Sequence, residues 1–454
     1  MNEKKQKSGF SSRIGFVLAA AGSAVGLGNL WRFPYLAAKY GGGSFLLIYL
    51  ILTITFGFAL MITEIAIGRK TGKSALYAFS DLDRNSGFIG VLASAVPIII
   101  LPYYCVIGGW VVKYAWAFVT GSGSAAATDE YFGEFISQTG EPILWLGIFI
   151  LATMVVILLG VNKGIENISK VLMPLLVILS VVIAVFVVTR PGAGAGIAYY
   201  LKPDLSKISA NAFLAALGQL FYSMSLAMGI MITYGSYLKK DANIEHSVRN
   251  IEIFDTGIAF LAGLMIVPAV FVFSGGNEAS LKAGPTLMFI TLPKVFDGMA
   301  GGHIIGAVFF ILVLFAALTS AISLMETVVS IFVDKTNKSR RFITICVTIY
   351  TIVMAIPSSL GFGVLSGISI KGMSILDMFD FVSNSILMPV VALLTCLFVG
   401  FVVKPKTVID EVESSSHSYK SKKVYEILIK YVSPILIILI LISSILNAFG
   451  INTL

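Results

Sequence analysis

Charge is scarce in this 454-residue chain: Asp, Glu, Lys and Arg make up 12% of it, about half the share of an ordinary soluble domain. With 57% hydrophobic residues and a mean hydropathy of +0.93, too little polar surface remains to coat a water-soluble globule. That deficit excludes a soluble enzyme, a disordered scaffold and a nucleic-acid binder. Cysteine is nearly absent as well: Cys105, Cys346 and Cys396 lie far apart, and their spacing fits neither a disulfide framework nor a zinc site. The histidines His246, His303 and His417 are equally scattered. There is no H-E-x-x-H motif and no serine or cysteine set beside a base, so enzymatic chemistry is not expected. The lysine-rich start, Met1 to Ser8, carries no small-residue cleavage site, and no cleaved signal peptide is expected.

What the chain has in abundance is apolar runs of roughly 20 residues, the length that crosses a bilayer as a helix. Eleven are legible, at 14–38, 43–68, 87–119, 142–160, 167–189, 210–238, 247–274, 303–333, 341–360, 373–403 and 430–450. The fold class is therefore an all-α polytopic membrane protein with about 11 transmembrane helices. Placing the N-terminus in the cytoplasm puts 23 of the 32 basic residues on the inner side, the bias expected of cytoplasmic loops. The net charge of +8 thus reports orientation rather than affinity for nucleic acid, and the tail Ile451–Leu454 falls outside. The organisation reads as a cytoplasmic tail 1–12, a ten-helix core 13–403, an inner linker 404–429 and an eleventh helix 430–454. The outer segments 120–141, 190–209 and 275–302, rich in Gly, Ser and Ala, read as loops. Helices one to five and six to ten form two sets of five, and an odd number inverts the second set relative to the first.

In this 5+5 inverted repeat the first helix of each set is interrupted. Helix 1 breaks at Ala21-Gly22-Ser23-Ala24-Val25-Gly26-Leu27-Gly28-Asn29, and helix 6 at Ser223-Met224-Ser225-Leu226-Ala227-Met228-Gly229. Glycine lowers helix propensity, and unwound backbone survives at membrane depth only where it lines a cavity or is buried in protein. Freed carbonyls can ligate a cation there, while half-helix N-termini offer N–H groups to an anion. Close packing is the competing reading, since Gly22 and Gly26 also form a G-x-x-x-G. Matching interruptions in both halves favour the cavity.

The run Gly15 to Pro34, ending Gly26-Leu27-Gly28-Asn29-Leu30-Trp31-Arg32-Phe33-Pro34, closely resembles the first helix of the neurotransmitter:sodium symporters. The resemblance extends from about Phe10 to Val403, and eleven helices rather than twelve is similar to the shorter bacterial branch. It implies a bundle that rocks against a scaffold around two sodium sites. The first would use the Ala24 carbonyl, Asn29, Ser223 and Asp255, completed by a substrate carboxylate. The second would use the carbonyls of Gly22, Val25 and Ala316 with the hydroxyls of Thr319 and Ser320. Hard oxygen ligands suit a hard alkali cation. Taken alone, the Thr319-Ser320 pair equally suits back-bonding to its own helix.

The same resemblance implies a central substrate pocket. Helix 1 would contribute Ser23, Ala24, Gly26 and Gly28, and helix 3 Ile100 and Tyr104. Helix 6 would add Tyr222, Ser223, Ser225 and Met228, and helix 8 Ser320 and Leu324. Tyr104 stands where the family's tyrosine hydrogen-bonds a substrate carboxylate, although an isolated Tyr103-Tyr104 pair also suits a core or interfacial role. Relatives that carry decarboxylated amines place an aspartate at the position of Gly26, so glycine implies an alpha-amino acid with its own carboxylate. The other lining residues are apolar or hydroxyl-bearing, which implies a small neutral amino acid with a hydrophobic side chain.

Gates are implied on both sides. The outer one would pair Arg32 with Asp380 above Tyr222. The inner one would use Asp334, Tyr237 and Lys7, with Phe10 where the family usually has tryptophan; lysine lacks arginine's planar fork. Glu64 matches a carboxylate that braces the broken helices, and alanine at Ala227 replaces a usual glycine, which narrows the accepted side chains. Gly164 and Pro174 resemble a G-x9-P pattern linked to unwinding of helix 5, and equally a plain helix start with a proline kink. Aligning helix 7 on Ala262-Gly263 puts Asp255 at a sodium-ligating asparagine and Ala259 at the chloride-ligating position, where it offers no ligand. Sodium ions are therefore the expected cofactors and chloride is not required; Asp255 would also be placed to return a proton. The implied function is a sodium-coupled symporter importing a neutral hydrophobic alpha-amino acid across the cell membrane. An ion channel or a non-transporting receptor on the same fold is the alternative.

Overall fold

The computed structural model describes residues 9–274, 285–336, 338–415 and 418–448, and these are nearly all helical. Among them, nine helices are long and apolar enough to cross a membrane: Gly43–Thr71, Arg84–Val119, Gly140–Leu158, Val161–Val188, Ile244–Phe273, Gly302–Thr336, Arg340–Leu360, Ile375–Val402 and Lys422–Leu446. A further crossing is a bent pair, Arg13–Ala24 with Gly28–Lys39, whose halves meet at 53°. Another is split into Ala210–Ser223 and Ile230–Ser236, each half too short to span alone. In chain order the bent pair is the first span and the split pair the sixth, as the sequence led one to expect.

Burial separates the inner spans from the lipid-facing ones. The most apolar windows of the second and third spans are 72% buried, against 33% for the fifth and 28% for the last. The N-terminal half of the first span is buried without a gap from Gly15 to Ala24. Its glycines and alanines let it pack against the fifth, seventh and eighth spans at once, since small residues permit close approach of helices in a bilayer. The bulky scaffold thus surrounds a slender central helix.

Two expectations about the connecting segments need correction. The segments 120–141 and 190–209 are not plain loops: they hold the helices Gly123–Ala126, Asp129–Ser137 and Ala193–Leu201. The described part of 275–302 likewise holds Leu292–Asp297. Local composition suggested loops, but tertiary packing decides. Phe132 stacks on Phe289 with ring centroids 5.1 Å apart, and the Tyr200 hydroxyl donates to the Phe260 carbonyl at 3.1 Å.

The segment 404–429, read as a charged linker, is packed against the body. Lys406–Glu413 is a helix, and Glu411 accepts from the buried Arg69 of the second span at 2.8 Å. Arg69 also donates to the Glu411 carbonyl, to Ser414 Oγ at 3.1 Å and to the Ala242 carbonyl at 2.6 Å. A buried guanidinium needs this many acceptors. One side chain therefore ties together the second span, the turn after the sixth and the segment after the tenth. The last span begins at Lys422 rather than at 430. Tyr425 and Ile429 extend its buried stripe by one turn, while the exposed Lys422, Lys423 and Glu426 mask that turn from a hydropathy reading. Removing one partner of a buried ion pair costs about 3–5 kcal/mol. Arg69→Ala is thus expected to lower the unfolding midpoint in detergent sharply, and an unchanged midpoint would show that the pair is not a structural tie.

Candidate functional site

The two breaks face each other at the centre of the molecule. In the sixth span, Ser225, Ala227 and Gly229 have φ of 52°, 59° and 70°, the left-handed region that residues with a Cβ seldom occupy. That geometry interrupts the helix between its two halves and leaves backbone groups without helical partners. They are taken up by side chains. The Ala227 N–H donates to Glu64 Oε1 at 2.7 Å, and Ser225 Oγ donates to the Ser23 carbonyl at 2.9 Å. In the first span the Gly26 N–H donates to Asn29 Oδ1 at 3.1 Å. Gln219, which the sequence did not single out, donates to the Gly28 carbonyl at 2.9 Å.

Between the breaks lies a narrow cavity of about 30 Å³. It brings together Ser23, Ala24, Gly26 and Gly28 with Ile100, Tyr104 and Tyr222. Ser225, Met228, Ser320 and Leu324 complete the set read from the sequence, and Leu27 and Ile230 are additions. Of the anticipated pocket residues only Ser223 stands apart, turned toward Asp255. Gly26 makes the space: a Cβ there would lie 2.8 Å from Ser320 Oγ and 3.3 Å from the Tyr104 hydroxyl. The Tyr104 hydroxyl is buried beside Ser320 and the Leu27 N–H and makes no well-formed hydrogen bond among the described residues. A buried orphan donor of this kind costs free energy unless a ligand meets it.

Asp255 is wholly buried at the edge of this cavity. Its Oδ1 accepts from Asn29 Nδ2 and from Ser223 Oγ, both at 2.8 Å, and the Tyr49 hydroxyl approaches Oδ2 at 3.3 Å. One helical turn on, Ala259 presents only a buried methyl group. On the other side of the first break, Ser320 Oγ lies 3.1–3.4 Å from the carbonyls of Gly22, Ser23 and Val25. Thr319 Oγ1 back-bonds to the Phe315 and Ala316 carbonyls at 3.0 and 3.1 Å, and a Cβ on Gly22 would touch Thr319 at 3.2 Å. The second cluster offers oxygens only, and the first offers the Asp255 and Ser223 oxygens beside the Asn29 amide, a chemistry that suits an alkali cation. Among the described residues no group of three His, Cys, Asp or Glu could hold a transition metal.

The anticipated gate residues separate into an open side and a closed side. Arg32 and Asp380 line one cavity of about 300 Å³ on the face expected to be outer, yet no ion pair joins them. Arg32 instead lies over the Tyr222 ring, 5.5 Å from its centroid, and Asp380 accepts from Asn384 Nδ2 at 2.6 Å. On the opposite face, beside a cavity of about 500 Å³, the described residues are packed closely at Phe10. Phe10 is buried edge-on against Phe16 and Tyr234, with centroids 5.5 Å away in each case, and its N–H donates to the Tyr237 carbonyl at 3.2 Å. The Tyr237 hydroxyl meets Glu326 Oε1 at 2.7 Å rather than Asp334, because Asp334 is two helical turns further, about 12 Å along the axis. Asp334 accepts the Ser74 N–H at 2.8 Å, and Lys7 lies outside the described residues.

Three residues missed in the sequence complete this packing. Glu326 is fully buried and paired with Arg340, which also reaches the Ile157 carbonyl at 3.3 Å. Glu166 accepts from the Ser11 N–H at 2.7 Å, Ser11 Oγ at 2.6 Å and Ser12 Oγ at 3.0 Å, stapling the start of the first span to the fifth. An acid inside an apolar run was the available signal for Glu326; nothing local marked its partner. The fifth span is continuous through Pro174, with Gly164 in its first turn.

Comparison with known proteins agrees with this architecture. The model of the sodium:neurotransmitter symporter family matches residues 7–130 and 125–452. The sodium-dependent transporter YhdH of Bacillus subtilis is 35% identical over 98% of this chain and 99% of its own length. A sodium-dependent transporter of Haemophilus influenzae is 36% identical over 97% of this chain and 98% of its own. The crystal structure of MhsT in complex with L-phenylalanine superposes with a TM-score of 0.87 at 37% identity, covering 97% of this chain and all of that one. With its broken first and sixth spans around an oxygen-lined centre, this multi-pass membrane chain belongs to the sodium:neurotransmitter symporter family and is a sodium-dependent transporter, not an enzyme.

Proposed function

We propose that the protein imports a neutral, hydrophobic alpha-amino acid together with sodium, by alternating access and without need of chloride. The observation that carries the substrate class is the orphan Tyr104 hydroxyl beside Gly26. A carboxylate laid along the first break would accept from Tyr104 and complete the oxygen shell around a cation held by Asn29, Ser223 and Asp255. A decarboxylated amine would leave that donor unmet. The rest of the lining, Ile100, Met228, Ile230 and Leu324, offers no charge to a side chain. That the related MhsT was solved with L-phenylalanine supports the same class.

Chloride independence rests on Asp255. Its carboxylate supplies the negative charge that a cation needs in a low-dielectric centre, and the Ala259 methyl gives an anion nothing to hold. A second sodium would sit among the carbonyls of Gly22, Val25 and Ala316 and the hydroxyls of Thr319 and Ser320, coupling the first span to the eighth. In the orientation favoured by the charge bias, with the N-terminus cytoplasmic and the C-terminus outside, the open cavity above Tyr222 is the route of entry. Arg32 and Asp380 would close it once substrate is bound. Exit would then require release of Phe10 and of the Glu326–Arg340–Tyr237 network.

Four outcomes test this reading. Replacing chloride by gluconate on both sides of sealed vesicles, at a fixed sodium gradient, is expected to leave wild-type uptake intact, while Asp255→Asn loses most of it; collapse of wild-type uptake would end the assignment. Leucine, phenylalanine or tryptophan is expected to compete for uptake where monoamines do not. Arg340→Ala leaves Glu326 buried without its partner, a loss of several kcal/mol from the closed inner face. It should raise labelling of a cysteine placed at Ser12 and lower uptake, and unchanged labelling would remove the network from gating. Ala227→Gly relieves a left-handed alanine, worth about 1 kcal/mol, and is expected to widen the range of side chains that compete for uptake; an identical competition profile would show that the break is already free to adjust.

A further inference from the structure

A second cavity is far larger than the central one. A groove of about 610 Å³ lies on the flank, between the second span, the seventh and the start of the last, well within the size of small-molecule sites. Along the seventh span, Arg249, Glu252, Ile253, Thr256, Gly257 and Phe260 recur at helical spacing and face it. The opposite walls are mostly aliphatic and aromatic, with Leu50, Ile54 and Phe58 on one side and Val424 and Leu428 on the other. Ile54 and Ile253 are each 68% exposed, so the groove opens sideways into the hydrocarbon region. A Cβ added at Gly257 would meet no atom within 4 Å, which leaves the floor clear.

Polar groups cluster at one end of this apolar groove. Glu252 is 6% exposed, and its Oε1 has no hydrogen-bond partner; the hydroxyls of Tyr419 and Thr256 are likewise buried and unmet among the described residues. Arg249 stands one turn before Glu252, at the mouth. It lies over the Phe58 ring at 5.4 Å and is paired with Glu245 at 2.8 Å, with its side chain still 56% exposed. A buried carboxylate with an unmet oxygen is costly, and in a membrane such a group marks a binding site by default. What it calls for is a donor, preferably cationic, brought in from the groove.

We infer that this groove holds a phospholipid whose head carries a primary ammonium, with the ammonium on Glu252, the phosphate toward Arg249 and an acyl chain along Phe58, Phe260 and Leu428. An ethanolamine head separates its ammonium from its phosphate by a short carbon link, which suits an anion and a cation one helical turn apart. The Tyr419 and Thr256 hydroxyls then meet the phosphate or ester oxygens. A fully methylated choline head cannot donate to Glu252, and a glycerol head brings no cation.

The test uses the purified, full-length protein in detergent. Phosphatidylethanolamine, phosphatidylcholine and phosphatidylglycerol of identical chains are added in turn, and bound lipid is counted by native mass spectrometry alongside the unfolding midpoint. Phosphatidylethanolamine is expected to be retained about tenfold more tightly than phosphatidylcholine, as a hydrogen bond to a charged group implies. Glu252→Gln is expected to abolish that preference, and Gly257→Leu, which fills the floor without disturbing helix propensity, to reduce retention of every lipid. Equal retention of the ethanolamine and choline lipids by the wild type would overturn the assignment. So would a preference that survives Glu252→Gln, or stronger retention of phosphatidylglycerol.

Discussion

Backbone N–H and C=O groups must find partners inside a bilayer, where water is not available to them. Two spans here are unwound at mid-depth, and much of the remaining core follows from meeting that demand. Glu64 takes the Ala227 N–H, Asn29 takes the Gly26 N–H, Gln219 caps the Gly28 carbonyl, and the Ser23 carbonyl receives both Ser225 and Ser320. The side chains that serve the first break come largely from the sixth and eighth spans, and the one that serves the sixth comes from the second. The breaks are thus framed largely by one another and by the second and eighth spans. The carbonyls that remain point into the space where the breaks meet, which is why an oxygen-rich centre arises between otherwise apolar spans.

The two faces differ in how the same helices are held. On one, Arg32 and Asp380 share a cavity without touching, and Tyr222 forms its floor. On the other, an aromatic plug at Phe10 is backed by a buried ion pair between Glu326 and Arg340. The N-terminal half of the first span is slender and built of small residues, and Glu166 grips its start through Ser11 and Ser12. Motion of that half-helix depends on releasing a few hydrogen bonds at its end, because its own body carries few large side chains to interlock with the neighbours. This asymmetry is a difference in side-chain chemistry imposed on two halves of similar backbone plan.

The flank of the molecule is joined to the centre through the seventh span. Asp255 faces the broken helices, while Glu252, one turn earlier, faces the lateral groove. The same groove borders Tyr419 and Tyr425, and the segment that carries them is anchored through Glu411 to Arg69 and Lys240. A charged stretch that reads as a tether is therefore part of the packed body. Its role is visible only when the long-range partners of its acids are known.

Some features were legible without coordinates because they depend on short-range rules. A hydrocarbon slab of fixed thickness dictates long apolar runs, so the number and order of spans could be counted, and the stretches Ala21–Asn29 and Ser223–Gly229 announced where the first and sixth would break. The resemblance, which runs from about Phe10 to Val403, named residues from Ser23 to Leu324 that line one central cavity, Ser223 excepted. Other features depend on which distant side chains meet. Nothing local distinguishes a loop rich in Gly and Ala from the helix Ala193–Leu201, and nothing near Glu326 names Arg340 or Tyr237 as its partners. The unsatisfied oxygen of Glu252 and the hydroxyl of Tyr419, more than 160 residues apart in the chain, form one site only because the second, seventh and last spans leave a gap between them. Helix formation and membrane insertion are local in the chain; the satisfaction of buried charge is not, and that is what tertiary structure decided.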